Sequence, residues 1–209
     1  MRVLILSRTK MRGNKCVGGL LLHNNQSIRL LTASGTNQPN NTAYQVGQIW
    51  DLAFTPAQSL TPPHTEDVLV AGGTYLSSVP NLAAFLAARV TSMADRYWEG
   101  GPERLFGGVV RATGNGSGFI AQPHVPPIST GFWRPDQDLT ARTEGNRVRY
   151  VYPGNYGGAR YFTYVGDAAP LPVIPARGLV RISLARWWRP QDAPDLERRC
   201  YLQISGWYL

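Results

Sequence analysis

Apolar and polar positions alternate with a period of two over much of the chain, the signature of strands with one dry face. The run Val3-Leu4-Ile5-Leu6 is apolar throughout and predicts a strand buried on both faces. Further strands are predicted over 16–22, 27–32, 48–54 and 67–71, separated by Gly, Asn and Pro clusters. In the second half, strands are predicted over 147–152, 160–165, 179–186 and 199–208, and residues 103–106 read as a turn. Val148, Tyr150 and Tyr152 alternate with Arg147 and Arg149, and Val180, Ile182 and Leu184 alternate with Arg181 and Ser183, so each strand is expected to carry a dry and a basic face. One segment breaks the pattern. Leu82, Phe85, Leu86, Val90, Met93 and Tyr97 recur with helical spacing behind the capping residue Asn81, which predicts one principal helix over 81–98.

Comparison of the two ends gives a faint repeat. Leu4-Ile5-Leu6-Ser7-Arg8, a basic loop and then Lys15-Cys16 is echoed by Ile182-Ser183-Leu184-Ala185-Arg186, a polar loop and then Arg199-Cys200. The repeat fits a duplicated barrel in which Cys16 and Cys200 occupy equivalent buried positions.

Composition narrows the class. Gly (22) and Pro (16) are abundant and charged residues are few at 16%, which favours turns over long solvated helices. No apolar run reaches the roughly 18 residues of a membrane span, and the first strand is too short for a leader, so a cytoplasmic protein without membrane contact is expected. Two cysteines form no metal-ligand spacing. The net charge of +8 is segmented: residues 1–50 hold six basic and no acidic residues, whereas residues 111–191 hold ten arginines against four acids. Nineteen of the 21 basic residues are Arg, a bias that suits phosphate recognition and that a GC-rich genome also produces.

The candidate binding residues follow from this map. Arg8, Lys10, Arg12 and Lys15 surround Gly13 in one loop, as phosphate contacts would require, although a solvated turn has the same composition. Arg186-Trp187-Trp188-Arg189 interleaves indoles with guanidinium groups, the composition of a stacking platform, and Trp133-Arg134 repeats it. Of two adjacent tryptophans at most one can face a core. Arg29, Arg147 and Arg149 complete the basic set, and Trp50 and Trp207 are expected in cores. Residues 113–119 are glycine-rich but lack the Lys-Ser/Thr of a phosphate loop, so a bent connection is expected. An enzymatic alternative uses His64, Glu66 and Asp67 around a divalent cation for phosphodiester cleavage. His23 and His124 have no acidic or cysteine neighbours and read as solvent-facing. No cofactor motif is present.

The N-terminal run 3–10 with Gly13 and Cys16-Val17-Gly18-Gly19, the segments Ile28-Arg29-Leu30-Leu31 and Gly47-Gln48-Ile49-Trp50-Asp51, the turn 63–67 and the closing stretch 200–208 resemble the dual-OB domain family. The resemblance implies a mainly β protein of two packed OB-like barrels with one principal helix on or between them. Residues 1–100, including the helix, would form the first barrel and 101–209 the second, packed as one unit. It also implies a nucleic-acid partner, single-stranded DNA or RNA, because OB barrels present a curved face to such strands. Members of the family are sometimes encoded near bacterial defence or mobile-element genes, so the resemblance adds the expectation of a protein partner from the same gene neighbourhood. The exposed aromatics would suit that partner equally, as an interaction subunit of a larger complex.

Overall fold

A computed structural model describes residues 1–11, 13–154 and 158–209 of the chain. The first half is a closed five-stranded barrel. Its strands are β1 (Arg2–Met11), β2 (Asn14–Leu21), β3 (Ser27–Thr32), β4 (Gln48–Pro56) and β5 (Asp67–Ser78). They pair in the order β1-β2-β3-β5-β4 and back to β1, antiparallel except where β3 runs parallel to β5. This Greek-key closure is the OB arrangement. Val3, Ile5, Val17, Ile28, Leu30 and Leu52 fill its interior.

The second half opens with α1 (Leu82–Val90), β6 (Tyr97–Gly100) and a 3₁₀ segment (Pro102–Gly108). It continues through β7 (Gly118–Ala121), β8 (Thr130–Pro135), β9 (Leu139–Glu144), β10 (Arg147–Tyr152), β11 (Arg160–Tyr164), β12 (Leu179–Leu184) and β13 (Arg199–Tyr208). The main path runs β9-β10-β11-β13-β12-β8, with β11 parallel to β13 and β6 added parallel to β8. Only residues 136–138 separate β8 from β9, so the two ends of the path are one bent first strand. Treated so, the order is again first-second-third-fifth-fourth, with the third and fifth strands parallel. Trp133 on β8 meets Phe162 on β11 at 5.3 Å and Tyr152 on β10 at 6.0 Å across the shared interior.

That assignment corrects the duplication. The hairpin β1–β2 comprises the first and second strands of its barrel, whereas β12–β13 comprises the fourth and fifth. Accordingly β2 has an antiparallel outer neighbour and β13 a parallel one, and Cys16 is half-buried while Cys200 is fully buried. The similarity of the two hairpins reflects only the same local pattern.

The barrels meet over a third apolar cluster. Leu4, Leu6 and Leu20 from the first, Phe132, Leu179 and Tyr208 from the second, and Leu86 and Val90 from the helix pack together. This is why every residue from Val3 to Ser7 is buried, one face lining a barrel and the other the seam. The helix lies between the barrels, with Asn81 Oδ1 accepting from Ala84 N–H at 2.9 Å. It is shorter than the 81–98 expected. Ser92 Oγ donates to the Arg89 carbonyl at 2.7 Å at its end, and Met93 reaches the same cluster from a turn. No described helix is long and apolar enough to cross a membrane.

Candidate functional site

Three of the six basic residues of the first 50, Arg8, Lys15 and Arg29, are engaged at the seam. Asp167, just beyond β11, is 2.5 Å from Lys15 Nζ and 3.5 Å from Arg8, which also hydrogen-bonds Gln45. The Lys15 hydrogen bond, with the positive charges of Lys15 and Arg8 behind it, holds the Asp167 carboxyl below the usual carboxylate range. Arg29 grips Asp67 bidentately at 2.6 Å, and Arg186 crosses from the second barrel to the same carboxylate at 2.8 Å. Each barrel thus sends cations to a carboxylate of the other. Lys10 is exposed, and Arg12 lies outside the described residues. The loop expected to track phosphates is to a large extent a staple between barrels.

The three residues of the enzymatic alternative line one cavity between the barrels, but each is already engaged by another group. Glu66 accepts from the Ser129 N–H at 2.6 Å and its Oγ at 2.9 Å, and Asp67 is held by two arginines. His64 Nε2 donates to the Leu184 carbonyl at 3.1 Å, and burial pushes its pKa below the usual value, which keeps it neutral. Among the described residues no three His, Cys, Asp or Glu side chains gather as a divalent cation requires. All three residues tie the 62–67 segment to the second barrel, as do the Thr65 hydroxyl on the Pro127 carbonyl and the Trp187 indole N–H on the Pro62 carbonyl. His23 and His124 face solvent, as expected.

The two tryptophans after β12 part company. Trp187 packs against the second core, and Trp188 stands 53% exposed beside Tyr201, with ring centroids 6.1 Å apart. Trp133, grouped with them by sequence, is fully buried and donates its indole N–H to the Gly100 carbonyl at 2.8 Å. It is a core residue, because β8 turns its ring into the barrel interior against Tyr152 and Phe162. Its neighbour Arg134 is half-buried opposite Glu99 on β6. Trp50 and Trp207 pack at the edges of the two cores.

Beside Trp188 the outer surface of the second barrel carries a second set of groups. β13 turns Arg199 and Tyr201 outward, since Cys200 and Leu202 point in. The Arg199 guanidinium lies 4.1 Å over Phe119 and that of Arg111 lies 5.1 Å over the same ring, with Tyr201 at 6.0 Å. Glu197 accepts from Arg111 at 2.9 Å and Arg199 at 3.1 Å, which lowers the pKa of its carboxyl. Farther along, Arg149 lies 4.9 Å over Tyr161, donates to Ser117 Oγ at 2.5 Å and pairs with Glu144 at 3.0 Å. Ser117 ends the bent glycine connection, closed by Thr113 N–H on the Ser117 carbonyl at 3.0 Å. Arg147 is exposed on the same side of β10 as Arg149, and Arg189, whose Nη1 donates to the Pro194 carbonyl at 2.7 Å, is exposed beside Trp188. Sequence reading missed Arg111, Phe119, Tyr161, Arg199 and Tyr201. The alternation of Arg199, Tyr201 and Gln203 against Cys200 and Leu202 was the available signal, and Arg111 and Phe119 come near only through the β7–β13 pairing.

No protein with curated properties matches the chain. The family model for the dual OB-containing domain matches residues 1–207. The match spans both barrels of first-second-third-fifth-fourth strand order, and the chain belongs to the dual OB-containing domain family.

Proposed function

We propose that the protein binds single-stranded nucleic acid across the outer face of the second barrel, from Trp188 and Tyr201 past Arg199 and Arg111 to Arg149 and Arg147. The observation that carries the reading is the exposed Trp188 ring beside Tyr201, at the end of a row of guanidinium groups already stacked on aromatic rings. Bases stack on such rings irrespective of sequence, and guanidinium groups fixed over rings lose little freedom when they meet a phosphate. OB barrels offer their curved faces to single strands, which agrees with family membership.

An electrophoretic shift panel of single- and double-stranded DNA and RNA tests the reading. Affinity for single strands is expected to fall with a steep log-log salt slope, because bound phosphates release counterions. Absence of binding at low salt overturns the proposal and leaves Trp188 as a contact for the protein partner.

A further inference from the structure

The strand β12 was expected to show a basic face, yet Arg181 on that face is 5% exposed. It points into the seam. A register shift in the β12–β13 pairing makes Ser205 an extra residue, and Ser205 Oγ accepts from Arg181 Nη1 at 3.0 Å. Across the seam Gly18 makes room for the guanidinium, since a Cβ there would stand 2.8 Å from Arg181 Nη2 and 2.6 Å from Ser7 Oγ. Among the described residues no carboxylate lies within ion-pair distance of Arg181. A guanidinium taken out of water without an anion is costly, so its neutral partner alone does not account for it.

Arg181 lines a cavity of about 260 Å³ between the barrels. The lining contains two further guanidinium groups, those of Arg29 and Arg186, and two carboxylates. Both carboxylates are already engaged, Glu66 by Ser129 and Asp67 by the two arginines. Hydroxyl groups of Ser7, Thr9 and Ser205 add donors, and Ile28, Val165 and Leu184 supply an apolar wall. With Arg29 and Arg186 turned on Asp67, Arg181 is the guanidinium of the lining that meets no carboxylate, and together with the hydroxyls and the apolar wall it suits an anion with several oxygens attached to an organic body. The volume falls below the roughly 300–1,000 Å³ of pockets for drug-sized ligands, so it admits a phosphate and at most part of the body that carries it.

We propose that this cavity binds the phosphate group of a nucleotide, with Arg181 as its principal cation. The carrier of the phosphate is either a free mononucleotide or the end of a bound strand. Gln203 and Ser205 continue toward the cavity along the outward side of β13 from Tyr201, and four residues of strand span about 13 Å. The inference rests on the nucleic-acid reading only for the strand-end source.

The test is calorimetric titration of the full chain with inorganic phosphate, a nucleoside monophosphate and acetate. Saturable binding of the phosphate compounds, and not acetate, is expected. Arg181→Met should weaken it about 10- to 100-fold, the effect of losing a charged hydrogen-bonding partner. Without ligand that variant should melt no lower than wild type, because an unpaired buried cation has been replaced by an apolar chain. Arg181→Lys keeps the charge without the fork and should show intermediate affinity. Equal binding of acetate, unchanged affinity in both variants, or no saturable response in wild type overturns the proposal. Oligonucleotides with and without a terminal phosphate separate the sources: discrimination that Arg181→Met abolishes assigns the strand end, and its absence alongside mononucleotide binding assigns the free nucleotide. Phosphate binding that depends on Arg181 in a protein that ignores strands sinks the nucleic-acid reading alone. Strand binding without phosphate binding sinks the cavity alone.

Discussion

The seam between the barrels and the outer face of the second barrel are both rich in arginine, and they use it differently. In the seam, Arg8 and Lys15 share Asp167 and Arg29 and Arg186 share Asp67, carboxylates whose side chains are only 25% and 12% exposed. On the outer face, Arg111 and Arg199 lie over Phe119 and Arg149 lies over Tyr161, with rings fixing the guanidinium planes. The outer arginines also meet carboxylates, Arg111 and Arg199 sharing Glu197 and Arg149 pairing with Glu144, but those carboxylates are 33% and 50% exposed, so the pairing is weak and the rings set the guanidinium planes. Clusters of basic residues therefore divide by the partner the fold brings to them, and the number of positive charges in a loop does not reveal that partner.

The largest expected effect sharpens this division. Asp67 is only 12% exposed in its side chain and holds two guanidinium groups, so Asp67→Asn leaves both without an anion at the seam. Loss of about 1–3 kcal/mol is expected from the midpoint of chemical denaturation, the cost of leaving charged groups without their partner where Arg29 is 23% and Arg186 48% exposed. Glu197→Gln on the outer face removes a carboxylate that also holds two arginines and should change stability by less than about 1 kcal/mol. Equal losses at the two sites would erase the distinction between the regions.

The next effect concerns the aromatic end of the outer face. Trp188→Ala should weaken single-strand binding about 5- to 150-fold, since a base stacked on an aromatic ring contributes about 1–3 kcal/mol. It should leave the melting temperature nearly unchanged, because the ring is 53% exposed. Trp187→Ala should do the reverse, as that ring packs on the core and ties Pro62 to the second barrel. Melting curves and binding isotherms on both variants read the contrast directly.

The contrast between regions also explains what was legible in the sequence. The period-two strands at 27–32, 147–152 and 199–208 were placed to the residue, because alternation is a local property of each segment. The double burial of Val3 to Leu6 was readable for the same reason. β8 and β9 were not foreseen: Leu139-Thr140-Ala141-Arg142-Thr143-Glu144 has one large apolar residue, and its stability comes from pairing with β10. The sequence Trp-Arg-Pro occurs at 133–135 and 188–190, yet one indole is fully buried and the other 53% exposed. A central strand covers the first and a loop presents the second, a difference made by neighbours far along the chain. The Lys15–Asp167 bond spans 152 residues, and no local pattern announces such a pair.

Acid should loosen the seam in two stages. Burial depresses the pKa of His64 below its ordinary value, and Lys15 depresses that of Asp167. A depressed folded-state pKa means that the unfolded chain binds the proton more readily, so the contribution is complete above the unfolded value and is lost as pH falls through the folded one. The His64 stage therefore begins below about pH 6.5 and the Asp167 stage below about pH 4. Denaturation midpoints measured against pH should lose the upper stage in His64→Gln, and the lower stage, to which Glu197 also contributes, should shrink in Asp167→Asn. An outer-face change such as Arg147→Gln should leave both stages in place.

The smallest effect is the finest probe of the outer face. Arg147 is exposed on β10 at the end of the proposed path farthest from Trp188, and the register places it opposite Glu144. If it meets a phosphate and no base, Arg147→Gln should lower affinity by the same few-fold factor for every single-stranded sequence. It should also reduce the log-log salt slope by about 0.7, the release of one counterion from a single strand. Stability should change by less than about 0.5 kcal/mol, since an exposed side chain is lost. A seam cation gives the opposite result: Lys15→Gln removes a partner of Asp167, so its loss should appear in the denaturation midpoint and leave the salt slope of binding untouched. Titrations at four or more salt concentrations on the two variants decide whether the regions are separate in function as they are in bonding, and a slope change in Lys15→Gln would show that the strand crosses the seam.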